Sequence, residues 1–290
     1  METKEIKNII IGFGKGGKTL AKFLATKGEE VLVIEKSNQM YGGTCINIAC
    51  LPSKRLIIEA ANGVEFTDAI NGKNDMTAFL RNANYHMLAD EKTVTVLDGT
   101  AKFLNNHEIE VTKQDGTKDH YRSKRIFINT GALPNYAPIP GLADSTKVIN
   151  STEAMDQTKM PKTLTIIGSG YIGLEFANMF ANYGTQVTVL DVHSDFLPRE
   201  DDDISQMIKQ DLENTGIKFE LGVKINRVED DTVFYEKNGQ ELSIKADRIL
   251  AATGRKPNTK NLGLENTDIQ LTDRGAIKVD DHLLTSVPNV

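Results

Sequence analysis

The most distinctive chemistry in this chain belongs to two thiols. Cys45 and Cys50 are the only cysteines among 290 residues, with four residues between them. They stand in Gly42-Gly43-Thr44-Cys45-Ile46-Asn47-Ile48-Ala49-Cys50-Leu51-Pro52-Ser53-Lys54, where a helix is expected to start. Five steps along an ideal helix advance about 7.5 Å and turn roughly 140°. A disulfide spans Cα separations up to about 6.8 Å, so an undistorted helix cannot join the pair. Pro52 offers a distortion, because it cannot donate to the carbonyl of Ile48 and its ring crowds that oxygen. A strained, reducible pair suits dithiol exchange. Two buried, inert thiols are the commoner fate of cysteine outside disulfides, and the spacing by itself favours that outcome. Gly42 and Gly43 let the backbone pass close to a large ligand before the helix.

The elements around the thiols are more informative. Asn8-Ile9-Ile10-Ile11 reads as a buried parallel strand. It runs into Gly12-Phe13-Gly14-Lys15-Gly16-Gly17, a G-x-G-x-x-G that opens a helical stretch over 18–27. Val31–Ile34 is the next strand and ends on Glu35. Tight turn, close pyrophosphate approach at a helix N-terminus and an acid for the ribose hydroxyls make a complete dinucleotide-binding unit, in which Gly12, Gly14, Gly17 and Glu35 face the ligand. The device recurs: the strand Thr163–Ile167, then Gly168-Ser169-Gly170-Tyr171-Ile172-Gly173, a helix to about Tyr183, and Val187–Leu190 ending on Asp191. Gly12 to Glu35 and Gly168 to Asp191 are equally spaced. Gly168, Gly170, Gly173 and Asp191 are therefore the second candidate set. A carboxylate at Asp191 accepts from a free 2′-hydroxyl and repels a 2′-phosphate, which favours NADH. His193 is a weaker phosphate candidate.

Between these units, 56–90 reads as largely helical, with Asn71-Gly72-Lys73-Asn74 breaking the run. Strand-like pieces follow at 94–97, 109–112 and 126–129, with Asp115-Gly116 as a hairpin signal. Prolines 134, 138 and 140 punctuate an extended crossover, and a domain boundary is expected near residue 150. After the second unit, segments at 218–221, 224–228, 232–235 and 242–244 suggest an antiparallel excursion before a strand at 248–252. Ile277–Val279 is expected to be a further strand.

Bulk properties narrow the class. The formal charge of −6 and the lack of a basic stripe argue against a nucleic-acid partner. Glu200–Asp203 reads as a solvated helix start rather than a metal site. No stretch approaches the roughly 20 apolar residues of a membrane span, and Met1–Lys7 lacks a signal-peptide core. The expected location is cytoplasmic, where paired cysteines are more often catalytic than structural. No structural zinc site is expected.

The cysteine segment resembles the redox-active stretch of the class I flavin-dependent pyridine nucleotide–disulfide oxidoreductases, G-G-T-C-x-N-x-G-C-x-P-S-K, a family that includes lipoamide dehydrogenases, glutathione reductases and mercuric reductases. Ala49 replaces the family's second-half glycine. Thr130-Gly131-Ala132 and Thr253-Gly254-Arg255-Lys256-Pro257-Asn258 resemble the family's two turns at the flavin-domain crossings. The resemblance implies an α/β fold of two Rossmann-like domains with antiparallel excursions, in three layers. It implies an FAD domain over 1–149, an inserted NAD(P) domain over 150–257 and a return segment over 258–290. It implies FAD and NADH, with NADPH less favoured. It assigns Gly43, Thr44, Thr130, Gly131, Gly254 and Arg255 to cofactor binding. Cys50 is expected to face the flavin as a thiolate and Cys45 to exchange with substrate. Lys54, paired with Glu175, is expected beside the flavin, and Tyr171 is expected to cover the nicotinamide pocket.

Met40-Tyr41, Asn82–Asp90 and Phe196–Asp201 resemble a bacterial oxidative-stress branch close to mercuric reductase and linked to reactive-chlorine resistance. That points to a disulfide or a thiol-binding metal ion, Cu(II) or Hg(II), as electron acceptor, with Cys45 and Cys50 as its ligands. In the family the segment ending at Val290 leads into Y-A-x-G-D and a C-terminal interface domain that makes a homodimer, so truncation before that domain is expected. No histidine (86, 107, 120, 193 or 282) falls at the family's general-base position. A dihydrolipoyl dehydrogenase or glutathione reductase-like enzyme is the alternative. A nucleotide-binding or redox-sensing module without turnover is the alternative of another class.

Overall fold

The computed structural model describes residues 2–290. The elements are β1 (Thr3–Ile11), α1 (Lys15–Thr26), β2 (Val31–Glu35), α2 (Thr44–Asn47), α3 (Cys50–Ala61), α4 (Phe66–Ala89), β3 (Val94–Asp98), β4 (Thr100–Phe103), β5 (Glu108–Thr112), β6 (Lys118–Ile128), β7 (Ala132–Pro134), β8 (Val148–Ile149), α5 (Ser151–Met155), β9 (Thr163–Ile167), α6 (Tyr171–Asn182), β10 (Gln186–Asp191), α7 (Asp202–Asn214), β11 (Lys218–Leu221), β12 (Lys224–Glu229), β13 (Thr232–Lys237), β14 (Gln240–Lys245), β15 (Arg248–Ala251) and β16 (Arg255–Pro257). They form two compact units. The first comprises the chain through Asn47, Met76–Leu133 and Lys256–Val290; the second comprises Ile48–Asp75 and Pro134–Arg255. The crossings fall at 133/134 and 255/256, against 149/150 and 257/258 expected from the sequence, and Ile48–Asp75 groups with the second unit.

In the first unit the sheet order is β3-β2-β1-β6-β5-β4. β3, β2, β1 and β6 are parallel, and β5 and β4 close the sheet antiparallel. Period-two alternation sends side chains to opposite faces. Ile10, Val31 and Val33 pack with Phe13, Ala21, Leu24 and Leu88 on one face. Ile9, Ile11, Leu32 and Ile34 pack with Phe103, Ile109, Val111, Leu262 and Val287 on the other. Both faces of the central strands are covered, which is why they read as unbroken apolar runs. The strand order reverses at β1, and the carboxyl end of the strand at such a reversal is the usual ligand position in these sheets.

The second unit repeats the plan with order β11-β10-β9-β15-β8, all parallel. Leu164, Ile166, Val187, Val189 and Leu250 face α6 and α3, packing with Phe176, Phe180 and Leu56. Ile167, Leu190, Ile249 and Ala251 face the antiparallel sheet β12-β13-β14 through Ile225, Val233 and Tyr235. Each unit is thus a three-layer α/β Rossmann-like domain.

Two expectations fail. α4 runs unbroken through Asn71–Asn74. Gly72 lies against the Arg55 guanidinium of α3, 2.6 Å from where a Cβ would stand. Ile277–Val279 is no strand: among the described residues only a single bridge joins Leu271 to Ile277.

Candidate nucleotide and dithiol sites

The two glycine turns share their backbone plan. The N–H of Gly12 donates to Ile34 O at 2.8 Å, and that of Gly168 donates to Leu190 O at 2.8 Å. Both glycines have φ +107°, and at each a Cβ would strike backbone: Asn129 O at 2.3 Å and Ala252 O at 2.6 Å. A side chain is excluded there twice over, by conformation and by contact. The third glycines are also packed against backbone, Gly17 on Gly12 O at 2.5 Å and Gly173 on Gly168 O at 2.0 Å.

The acid at each second strand's end closes back on its turn. Glu35 accepts from the N–H of Phe13 at 2.9 Å and of Ser37 at 3.2 Å. Burial, with Asp98 nearby, raises its carboxyl above the ordinary value against the pull of these backbone donors. Asp191 accepts from the N–H and hydroxyl of Ser169 at 2.5 and 2.7 Å and from the N–H and ring of His193 at 2.8 and 2.8 Å. Burial pushes the Asp191 carboxyl up, but the donors of His193 and Ser169 together outweigh it and hold the group below the ordinary aspartate value. The lone pairs of Asp191 are thus engaged.

A cavity of about 480 Å³ opens over the second turn, lined by Gly168–Tyr171, Asp191, His193, Arg199 and Glu200 among others. The Tyr171 hydroxyl donates to Glu200 at its rim, and this bond raises the Tyr171 pKa. A smaller cavity of about 180 Å³ brings Gly170 and Tyr171 together with Gly254 and Arg255. Thr130 and Gly131 form the matching turn of the first unit, where Asn258 donates to both carbonyls, at 3.1 and 3.0 Å.

The thiol segment departs from the expected single helix. α2 ends at Asn47 and α3 starts afresh at Cys50, with Ala49 as its cap. Pro52 therefore lies in the first turn of α3, where its missing N–H costs nothing. The N–H of Ser53 makes the bond to Ala49 O, 2.9 Å. The break between the cysteines, rather than a kink at Pro52, is what frees them from helical spacing. Ala49 has φ −149° and ψ −106°, outside the left-handed region that favours glycine. Cys45 is half-buried and Cys50 exposed. The division into units falls between them, after Asn47.

Gly42 and Gly43 attach this segment to the first nucleotide turn. Gly42 N–H donates to Phe13 O at 3.1 Å, and a Cβ on Gly43 would lie 2.6 Å from Gly14 Cα. Both have positive φ, +87° and +82°, so only glycine makes the step without strain. Thr44 begins α2 immediately after. In the second unit Lys54 pairs with Glu175, and Ser53 Oγ lies 3.4 Å from the same carboxylate. No group of three or more His, Cys, Asp or Glu placed to hold a metal occurs among the described residues.

Motif reading alone does not single out Lys18. Gly12–Thr19 also spells G-x-x-x-x-G-K-T, the phosphate-loop pattern. The structure excludes that use: Lys18 is buried and donates to Asn84 Oδ1, and the Thr19 hydroxyl bonds back to Lys15 O at 2.8 Å.

Comparison with known proteins agrees with this architecture. The family described as pyridine nucleotide-disulphide oxidoreductase matches residues 6–290. A probable pyridine nucleotide-disulfide oxidoreductase, RclA of Escherichia coli K12, is 44% identical over 97% of this chain and 64% of its own length. The dihydrolipoyl dehydrogenase of Geobacillus stearothermophilus is 33% identical over 99% of this chain and 64% of its own. The solved Cu(II) complex of HOCl-induced flavoprotein disulfide reductase RclA from Escherichia coli superposes with a TM-score of 0.92 at 43% identity, covering 100% of this chain and 65% of that one. The chain thus spans a little under two thirds of the length of the relatives it matches. It belongs to the pyridine nucleotide-disulfide oxidoreductase family.

Proposed function

We propose that this family member is an FAD-dependent NADH oxidoreductase that passes electrons through Cys45 and Cys50 to a disulfide or to a thiol-binding metal ion such as Cu(II) or Hg(II). The observation that carries the reading is the seating of Gly42 and Gly43, two residues before Cys45, on the first glycine turn. A dithiol segment tied to a nucleotide turn is what flavin-to-sulfur electron transfer needs.

The residues present fit both dinucleotides. At Gly170, φ −71°, neither backbone conformation nor packing demands glycine, since a Cβ would meet nothing within 4 Å. A ligand lying on the turn accounts for its presence. Gly12, Gly14, Gly17, Glu35, Gly43, Thr44, Thr130 and Gly131 would hold FAD in the first unit. Gly168, Gly170, Gly173, Asp191, Gly254 and Arg255 are assigned to the nucleotide sites by the same reading. Bound FAD would supply the two-electron carrier between nicotinamide and sulfur. The charge on Asp191 repels a 2′-phosphate and so selects NADH over NADPH. Cys45 exchanges with the acceptor, and Lys54, paired with Glu175, stands one turn beyond Cys50 on α3. Tyr171, held by Glu200, covers the nicotinamide pocket. In the cell the protein would act in the cytoplasm as a homodimer.

Support for a metal acceptor comes from the Cu(II) complex of the structural relative. The dihydrolipoyl dehydrogenase relative supports a second reading, separable by assaying dihydrolipoamide with NAD. The purified chain should carry flavin absorbance and develop a long-wavelength thiolate–flavin band on two-electron reduction. Cu(II) or Hg(II) should stimulate its NADH oxidation, and Cys45→Ser should abolish the stimulation. Full stimulation in that variant refutes the proposed electron path, and a colourless protein removes flavin from it.

A further inference from the structure

Tyr171 opens α6, and 65% of it is exposed. It lines both cavities of the second unit: the larger, which holds Asp191, and the smaller, which holds Gly254 and Arg255. Gly170 and Ala252 are also common to the two linings. The ring therefore stands as a partition in one groove over the N-terminus of α6. A dinucleotide with its pyrophosphate on that terminus places one nucleotide to each side. With adenosine at Asp191, the nicotinamide half has to pass Tyr171.

The partition is held from the facing wall. The Tyr171 hydroxyl donates to Glu200, and the turn that carries Glu200 is strained. Leu197 has φ +48°, a left-handed conformation that is costly for leucine. Packing imposes it: Phe196 and Leu197 are buried with Leu174 of α6, against Ile208, Leu212 and Phe219. The Leu197 carbonyl accepts from the N–H of Glu200 at 3.0 Å and from the Ser205 hydroxyl at 3.2 Å. Strain of this kind gathers at ligand clamps and switch segments. Here it aims a carboxylate at the partition.

We propose that Glu200 is a positioning residue of the coenzyme groove: its carboxylate latches the Tyr171 ring across the groove, and a dinucleotide binds only once that bond opens. Apparent affinity is reduced by the fraction of molecules in which the latch is shut, so loosening the latch tightens binding. Side chains that gripped the coenzyme would behave the other way, and their removal would weaken it. The latch deepens the oxidoreductase reading and rests on it for the identity of the coenzyme, but its test needs neither flavin nor turnover.

Calorimetric titration of the full chain with two ligands separates the alternatives. NAD+ cannot reduce a flavin and needs both cavities; AMP needs only the larger one. Tyr171→Phe keeps the ring and the Glu200 charge and removes the hydroxyl alone. NAD+ should bind this variant roughly two- to tenfold more tightly, the range for one hydrogen bond, with AMP binding unchanged. Glu200→Ala removes the acceptor and should tighten NAD+ by a similar factor, and the double variant by no more than either single change. Both side chains are exposed, so the variants should fold as the parent does. NAD+ binding that is unchanged or weaker in Tyr171→Phe overturns the latch. Equal tightening of NAD+ and AMP in Glu200→Ala assigns the effect to lost charge and overturns it too. A parent chain that binds neither ligand refutes the coenzyme reading itself, and the latch falls with it.

Discussion

Gly170→Ala separates coenzyme binding from folding. The residue caps α6 with φ −71° and ψ 174°, and the new methyl would meet no protein atom within 4 Å. Alanine is a poorer N-cap than glycine, yet it loses less conformational entropy on folding, and each effect is below about 1 kcal/mol with opposite sign. The melting temperature should therefore stay within about 4 °C of the parent. Coenzyme affinity should not stay. Gly170 lines the cavity of about 480 Å³ over the turn, and a methyl forced into a tightly packed contact costs about 1–3 kcal/mol. At 1.4 kcal/mol per factor of ten, NADH binding weakens roughly 5- to 150-fold. Fluorescence titration of NADH reads this directly, and flavin content serves as an internal control on the untouched first turn. Gly173→Ala is the contrast: its methyl would fall 2.0 Å from Gly168 O, so backbone must move, and stability should drop by roughly 1–3 kcal/mol together with binding. An unchanged NADH dissociation constant in a fully stable Gly170→Ala protein would refute the reasoning, because the coenzyme would then not lie on this turn.

Acid titration tests Asp191. Its folded pKa is below the ordinary value of 3.8, so its contribution to stability is fully present above that value and is lost as pH falls through the folded pKa. Asp191→Asn should therefore melt below the parent at pH 7, and the gap should shrink as pH drops below about 3.8; a gap independent of pH contradicts the assignment. Ala49→Gly restores the family residue at a position whose φ is −149°. With no left-handed conformation to relieve, it should change stability by less than about 1 kcal/mol and leave dithiol reactivity intact. A large gain in reactivity would mean that the backbone around Cys50 adopts another conformation.

The parts of this protein legible in its sequence are those where the backbone itself dictates residue type. Gly12 and Gly168 must be glycine because carbonyl oxygens stand where a side chain would go, and such a requirement survives in any sequence that folds this way. The apolar runs of β1, β2, β9 and β10 were readable for a related reason, both faces being buried. Other features depended on tertiary contacts that no local window contains. Gly72 looked like a helix breaker, yet it lies inside α4 beside the Arg55 guanidinium of α3. β4 is four residues long and is defined by its pairing with β5. The restart at Cys50 was partly visible in Pro52, which marks a first turn as well as a kink. Choosing between these needed the Ala49 conformation.

The two nucleotide turns also show that one motif can encode two different demands. In the first turn, a Cβ on Gly14, Gly16 or Gly17 would come 2.9, 3.1 and 2.7 Å from the Asn129 side chain. That amide is anchored through a 3.1 Å bond to Gly12 O. In the second turn the equivalent residue is Ala252, whose short side chain leaves Gly170 open. Protein packing therefore disfavours a side chain at Gly14, whereas no protein atom does so at Gly170. Alanine at Gly14 would disturb Asn129 and the turn before any flavin is considered, so loss of binding there could not be attributed to the ligand. The open second turn lacks that ambiguity, so weakened NADH binding in Gly170→Ala can be attributed to the added methyl group meeting the coenzyme.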